Sequence, residues 1–172
     1  MKEGLPMDRS LILAGAERAF FKALLTGYAG GEMDSGVQAV SKEKTEYGRK
    51  VTVLVNDDFT VIDEWDVTPF TDCSGGRTTI LFLNIPIWLM FYLGSYPKEA
   101  IPTLKTALGQ NYRAGIFNGG RGPDNYSDNI FSYENFVKHG SSFANFHGEE
   151  RIYSRVAGGI VGYHEYMGKA LI

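Results

Sequence analysis

Histidines next to carboxylates are the residues of this sequence best suited to proton transfer. They occur at His147-Gly148-Glu149-Glu150 and at His164-Glu165. An imidazole and a carboxylate that meet in one cleft can act as a general acid and a general base. The candidates for catalysis are His147, Glu149, His164 and Asp66. This hypothesis requires at least two of these side chains to share a cleft; the competing interpretation of His164 is a structural, hydrogen-bonded histidine.

Other catalytic and metal-binding signatures are missing from the sequence. Two histidines and a carboxylate could form a metal site, but their spacing matches no zinc signature, and the single cysteine, Cys73, is far away in sequence. The sequence contains no Gly-x-Ser-x-Gly elbow, which argues against a nucleophilic hydrolase. We therefore predict no metal site and no cofactor.

A glycine-rich segment, Gly119-Gly120-Arg121-Gly122-Pro123, could suggest a phosphate-binding loop. Its spacing fits neither nucleotide-binding fingerprint, and no lysine follows in the required position. Backbone conformations that favour glycine explain the segment more simply. Arg121, held on such a loop, could pair with an anion or with a buried carboxylate.

An acidic segment, Asp63-Glu64-Trp65-Asp66, places carboxylates on both faces of a predicted strand. Two carboxylates around an aromatic ring are found in sugar-processing sites. The alternative is a charged strand edge that protects against aggregation, with Asp63 or Asp66 pairing with Arg77 or Arg121. The sequence favours the charged edge.

Large amphipathic side chains form the last candidate site. Rings with polar tips could line a pocket for a flat or apolar ligand, and they could equally pack beneath a helix. The members of this group are Trp88, Met90, Tyr92, Tyr163 and Tyr166. Together with the two polar candidates above, the predicted ligand-binding residues are Trp88, Tyr92, Arg121, His164 and Tyr166.

The elements that must position these residues are organised around the apolar stretch 77–94. It is predicted to form two strands joined at Asn84-Ile85-Pro86, and the second strand is apolar on both faces, which is typical of a central strand. Further strands are predicted at 49–56, 59–67, 130–137, 142–146, 150–154 and 160–167. Helices are predicted at about 8–27 and over a segment ending at Gly109, with a mobile polar loop at about 28–48.

These elements predict one domain over residues 1–172, of the α+β class. It should contain a curved antiparallel sheet of about six to eight strands, packed by two helices. A formal charge of −3 gives no electrostatic reason to expect nucleic acid as a partner. The stretch 77–94 is too short for a membrane span and contains Asn84 and Pro86. A single cysteine and the absence of a signal-peptide pattern predict a cytoplasmic protein.

An ordered series of short motifs over about 17–171 resembles an uncharacterised bacterial domain family. The motifs are Gly75-Gly76, Ile85-Pro-Ile-Trp-Leu-Met90, Leu104-Lys105, Phe117-x-Gly-Gly-Arg-Gly-Pro123, Tyr133-x-Asn135, Phe146-x-Gly-x-Glu150-x-Ile152 and Gly162-Tyr-His-x-Tyr-x-Gly168. Members of the family are free-standing or follow a helix-turn-helix DNA-binding domain. The resemblance implies ligand sensing or dimerisation, and it carries over no catalytic role. DNA binding by this chain alone is not expected, because only one helix precedes the sheet.

The leading hypothesis is a small-molecule-binding or sensory domain, homodimeric, with a pocket over the face that bears Trp88 and Tyr92. One alternative is a non-catalytic interaction or dimerisation module. The other is an enzyme that acts on a small polar substrate through histidine and carboxylate chemistry. A cavity beside the rings would favour the first hypothesis, a filled core with an exposed apolar patch the second, and converging acid and base groups the third.

Overall fold

The computed structural model describes residues 8–29, 37 and 39–172. In this part of the chain two α-helices and nine β-strands form an α+β fold with one antiparallel sheet, which confirms the predicted class with one strand more than the range of six to eight. The elements are α1 (Arg9–Thr26), β1 (Ala39–Lys44), β2 (Gly48–Leu54), β3 (Phe59–Val67), β4 (Cys73–Phe82), β5 (Ile85–Ser95), α2 (Ile101–Ala114), β6 (Asn125–Ser127), β7 (Phe131–Val137), β8 (Asn145–Ser154) and β9 (Ile160–Ala170).

The sheet consists of two meanders that meet at β5 and β9. Its strand order is β1-β2-β3-β4-β5-β9-β8-β7-β6, and α2 connects the two halves. β5 is therefore the fifth of nine strands, as expected for a strand that is apolar on both faces.

The turn between β4 and β5 is shorter than predicted. It is formed by Leu83 and Asn84, both with positive φ (49° and 66°), which is the backbone of a tight two-residue hairpin. Pro86 lies inside β5, beside a register shift between Ile80 and Leu81. Because proline lacks an N–H donor, a position next to such an irregularity is one that a strand tolerates.

Both helices begin as the sequence indicates, but α2 ends later. The Asp8 carboxylate accepts a hydrogen bond from the Ser10 backbone N–H (2.9 Å) at the start of α1, and Pro102 lies in the first turn of α2. The predicted end at Gly109 is wrong, since α2 continues to Ala114. It ends at Gly115, whose left-handed conformation (φ 64°) lets its N–H bond back to the helix.

The structure differs from the sequence interpretation in two further regions. Part of the predicted loop at 28–48 is the edge strand β1, whose polar sequence shows no burial pattern because most of its side chains are exposed. Residues 30–36 and 38 of that loop lie outside the described residues. The strands predicted at 142–146 and 150–154 are one continuous strand, β8.

One face of the sheet is covered by both helices and is called the inner face here. Its centre is a filled aromatic core in which Trp88 stacks on Phe143 (centroids 4.8 Å apart) and contacts Phe20 and Phe146. The opposite, outer face exposes apolar side chains of β5 and β9. Neither described helix is long and apolar enough to cross a membrane.

Candidate functional site

A cavity of about 690 Å³ lies on the inner face, between the end of α1, α2 and strands β1 to β5. This volume is within the usual range for small-molecule sites. Six aromatic residues contribute to its wall: Tyr28, Tyr47, Trp65, Tyr92, Tyr96 and Tyr112. The polar residues on the inner side of this wall are Asp63, Ser74, Thr78, Arg121 and His164.

A close approach of strands allows two of these rings to face the cavity together. Trp65 on β3 and Tyr92 on β5 lie on either side of Gly76 on β4. A Cβ atom at Gly76 would be 2.7 Å from the Tyr92 hydroxyl and 2.8 Å from the Trp65 Cβ. The backbone carbonyl oxygen of Glu64 on β3 would lie closer still. Because real Cβ contacts are not this short, a larger residue at position 76 would displace the β3 backbone as well as a ring.

A buried ion pair joins Arg121 and Glu150 beside the cavity. The Arg121 Nη2 donates to Glu150 Oε1, and both side chains are almost fully buried. Glu150 also accepts hydrogen bonds from the hydroxyls of Tyr96 (2.7 Å) and Tyr133 (2.6 Å). Burial raises the pKa of the Glu150 carboxyl, but the Arg121 guanidinium and these donors outweigh it, and the pKa lies below its ordinary value.

The glycine-rich loop holds Arg121 in place through its own backbone. Gly119 and Gly120 both have positive φ (65° and 70°), in agreement with the conformational explanation of this segment. The Tyr112 hydroxyl donates to the Gly120 carbonyl (2.9 Å), and Asn111 Nδ2 donates to the Arg121 carbonyl (3.1 Å). Of the two partners suggested for Arg121, an anion or a buried carboxylate, the structure contains the carboxylate.

Asp63 is the second buried carboxylate of the inner face. Its Oδ1 accepts hydrogen bonds from the hydroxyls of Thr78 (2.8 Å) and Tyr92 (3.2 Å). Its Oδ2 receives no hydrogen bond from any described residue. Burial raises the pKa of Asp63 to about 6, against the lowering effect of these two donors and of Arg121. Asp63 is therefore the least compensated charge of the site.

His164, on the inner face of β9, is the third polar group of the cavity wall. Its Nε2 lies 3.2 Å from Ser74 Oγ, and its ring centroid lies 4.2 Å from that of Tyr96. Its Nδ1 has no hydrogen-bond partner in the described part of the chain. Burial and the nearby Arg121 lower the pKa of His164 to about 4, so the imidazole is neutral at neutral pH.

The four predicted catalytic residues do not all lie on the same face of the sheet. Asp66, His147 and Glu149 lie on the outer face, whereas His164 lies on the inner face. The reason is the two-residue period of a strand, which directs adjacent side chains to opposite faces. Among the described residues, no group of three or more histidines, cysteines and carboxylates could hold a metal ion.

The predicted ligand-binding residues divide into two groups. Tyr92, Arg121 and His164 line the cavity. Trp88 and Tyr166 lie in the filled core, where the Trp88 Nε1 donates to the Phe143 carbonyl (2.7 Å) and the Tyr166 hydroxyl to Asn135 Oδ1 (2.6 Å). In both residues the polar atom of the side chain donates its hydrogen bond to another residue of the core.

The predicted ligand-binding residues do not include Tyr28, Asp63, Trp65 or Glu150, although the acidic segment with Asp63 and Trp65 is also considered as a sugar-processing site in the sequence analysis. A signal for two of them was present, because Asp63 and Trp65 follow Val61 at the two-residue spacing of a buried strand face. No local signal indicates Glu150, since its partner Arg121 is 29 residues away along the chain.

Comparison with known proteins gives a family and no activity. A family model described as "Domain of unknown function (DUF5680)" matches residues 71–170, which span the strands β4 to β9 and the helix α2. No curated protein and no solved structure matches the chain. The match covers more than half of the sequence and includes Arg121, Glu150 and His164. The chain therefore belongs to the DUF5680 family, a domain of unknown function.

Proposed function

We propose that this protein binds a small molecule in the inner-face cavity and acts as a binding or sensory domain. The observation that carries the proposal is an aromatic-walled cavity of about 690 Å³ whose wall includes Asp63, a buried side chain whose Oδ2 accepts no hydrogen bond from any residue that the structure describes. An oxygen of this kind can still accept a hydrogen bond from a donor that enters the cavity. This supports a role of Asp63 in contacting a ligand.

The two tryptophans of the chain provide a test of this proposal. Trp65 lines the cavity, whereas Trp88 is enclosed in the core. The test begins with native mass spectrometry of the purified protein and a thermal-shift screen of metabolites, because a ligand selective for the folded state raises its stability. The fluorescence change on adding a stabilising compound should persist in Trp88→Phe and disappear in Trp65→Phe. A change that follows Trp88 instead, or a screen without any stabilising compound, would contradict binding in this cavity.

A second proposal is homodimerisation through the outer face of β5 and β9. Phe91 and Met167 are opposite one another on adjacent strands and are about half exposed, and Leu93 is 64% exposed. Contiguous exposed apolar side chains of this kind are typical of interaction surfaces. The charges beside this surface also suit a second copy of the chain. Glu165 lies two residues before Met167, and Lys169 lies two residues after it.

The geometry of a symmetric dimer supports a second copy of the chain as the partner on this face. A two-fold axis lying between two outer faces and crossing β9 at Met167 would place Glu165 of one copy opposite Lys169 of the other. Each of these charges would then meet its opposite at the edge of the apolar contact.

Native mass spectrometry and sedimentation across the micromolar range test the dimer. The variant Phe91→Glu should dissociate it, because two carboxylates would enter an apolar contact without a partner. Val156→Glu, at an exposed position in the turn before β9, is the matched control and should leave the dimer intact. A monomeric wild-type protein, or a dimer unaffected by Phe91→Glu, would contradict this interface.

A cytoplasmic location completes the proposal. Cys73 is exposed and forms no disulfide, which suits a reducing compartment. Cell fractionation tests the location, and recovery outside the cytoplasm would contradict it.

A further inference from the structure

The charges around the inner end of the cavity do not balance. Arg121 and Glu150 neutralise each other in a buried ion pair. His164 is neutral at neutral pH, as described above. Asp63 is left, and no lysine, arginine or histidine in the described part of the chain forms an ion pair with it. When ionised, it gives this end of the cavity one uncompensated negative charge.

The position of Asp63 makes that charge accessible to a ligand. The residue is 5% exposed and lines the cavity. Thr78 and Tyr92 both donate to Oδ1, so Oδ2 keeps its capacity to accept a hydrogen bond. A donor that entered the cavity would therefore complete the hydrogen bonding of Asp63 without displacing a protein partner.

Three rings line the same cavity as the carboxylate. Tyr92 contacts Asp63 directly, Trp65 is two residues from it on the same strand face, and Tyr28 lies edge-on to Trp65 (centroids 5.5 Å apart). The faces of such rings attract cations, and tryptophan does so most strongly. Two of the rings already show this property, since Lys105 Nζ lies 4.8 Å from the centroid of Tyr28 and Arg121 Cζ lies 5.6 Å from that of Tyr92.

We propose that the cavity selects a protonated amine carried on an aromatic or other flat apolar body, with the ammonium group at Asp63 Oδ2 and the body between Tyr28, Trp65 and Tyr92. The proposal rests on the binding function proposed above and names the class of ligand. The ammonium group supplies the missing positive charge and a charge-assisted hydrogen bond. The apolar body takes the place of water against the rings.

Other ligand classes fit less well. A carboxylate or phosphate at the same depth would meet Asp63 at close range, and Arg121, whose charge also acts on Asp63, is already paired with Glu150. A neutral hydroxyl could donate to Oδ2, but it would leave the charge uncompensated. Among the described residues, the mouth of the cavity has five exposed cationic side chains and three carboxylates, from Lys42, Lys44, Arg49, Lys98, Lys105, Glu43, Glu46 and Asp72. These exposed charges are screened by water and salt far more than the buried Asp63 is.

Three probes of the same shape test the class of ligand. They are 2-phenylethylamine, 2-phenylethanol and 3-phenylpropanoate, titrated against the full chain by calorimetry and by Trp65 fluorescence in the Trp88→Phe background. At neutral pH the amine should bind about tenfold more tightly than the alcohol, because only the amine forms a charge-assisted pair. The propanoate should bind more weakly than the alcohol.

Variants on β3 separate the effect of the Asp63 charge on binding from an effect on folding. Asp63→Asn should lower the amine affinity to that of the alcohol, whereas Asp66→Asn, on the outer face of the same strand, should leave all three affinities unchanged. Asp63→Glu keeps the charge and should retain the preference for the amine. Thermal melting of each variant verifies that it is folded before binding is compared.

The outcomes distinguish the class of ligand from the binding function itself. Equal or tighter binding of the alcohol or the propanoate, or amine binding that survives Asp63→Asn, overturns the amine proposal and leaves the binding function standing. A metabolite screen that yields only ligands without an amine would likewise overturn the amine proposal and leave the binding function standing. Failure of all three probes together with an empty screen overturns both proposals.

Discussion

Two buried carboxylates on the same sheet face, Glu150 and Asp63, have opposite surroundings. Glu150 is 0% exposed and receives hydrogen bonds from Arg121 and from two tyrosine hydroxyls. Asp63 receives two hydroxyl donors on a single oxygen and has no cationic partner within the described chain. As a result the pKa of Glu150 lies below its ordinary value and that of Asp63 is raised to about 6.

The difference separates a structural group from a candidate binding group. Glu150 connects β8 to β7 through Tyr133 and to the glycine-rich loop through Arg121, and therefore fixes the relative positions of these segments. Within the described chain Asp63 accepts hydrogen bonds only from Thr78 on β4 and Tyr92 on β5, and it faces the cavity. A charge that costs stability where it stands is typical of functional sites.

Glu150→Gln should have the largest effect. The substitution keeps the shape of the side chain and leaves the Arg121 guanidinium buried without its counter-charge, so the free energy of unfolding should fall by about 3–5 kcal/mol. Urea unfolding followed by circular dichroism measures the change. The double variant Arg121→Met with Glu150→Gln removes both charges and should recover part of the loss. A loss below about 1 kcal/mol in the single variant would show that Arg121 does not depend on the charge of Glu150.

Asp63→Asn should change stability in the opposite direction. The asparagine oxygen can still accept from Thr78 and Tyr92, while the uncompensated charge is removed. Since the pKa of Asp63 is raised from 3.8 to about 6, its ionisation opposes folding, and the variant should gain about 1–3 kcal/mol of unfolding free energy at neutral pH. Urea unfolding at neutral pH measures it, and a loss of stability would mean that Asp63 is as well compensated as Glu150.

The pH dependence of that gain is a separate and smaller effect. A carboxyl whose pKa is raised in the folded state binds more protons there, so its contribution to stability falls as the pH rises from 3.8 to about 6. The gain of Asp63→Asn should therefore vanish below about pH 4 and grow up to about pH 6. His164, whose pKa is lowered to about 4, has the opposite pH dependence: its contribution to stability falls as the pH falls from 6.5 to about 4. Comparing the variant with wild type at each pH cancels this contribution and those of Arg121 and Glu150; a gain constant from about pH 4 to 7 would contradict the raised pKa of Asp63.

The general fold could be predicted because hydrophobic periodicity is strong where burial is extensive. The alternation of β5 and the position of Pro102 both indicate the correct elements. The edge strand β1 was missed because its exposed, charged residues carry no such period. The end of α2 was misplaced because Gly109 is tolerated inside the helix, where it is buried, and the left-handed position is Gly115.

The site was less predictable, because its chemistry depends on contacts across the sheet. Sequence patterns identify Arg121 and His164 as polar residues among rings, but the acid that pairs with Arg121 is a matter of tertiary structure. The face of Asp63 could be read from its strand. The lack of a counter-charge for Asp63 could not be predicted from the sequence, since it depends on which cations the fold brings near this carboxylate.

Glu64→Gln should have the smallest effect and completes the comparison with a third carboxylate. Glu64 is adjacent to Asp63 in sequence but lies on the outer face, where it forms a partly exposed ion pair with Arg77. Water and salt compensate both members of such a pair, so its removal should change the free energy of unfolding by less than about 0.5 kcal/mol. The measurement is urea unfolding at low and at high salt, where the small loss should shrink further as salt screens the pair. A loss as large as that of Glu150→Gln would show that charge alone, and not its burial, decides how these carboxylates act on the fold.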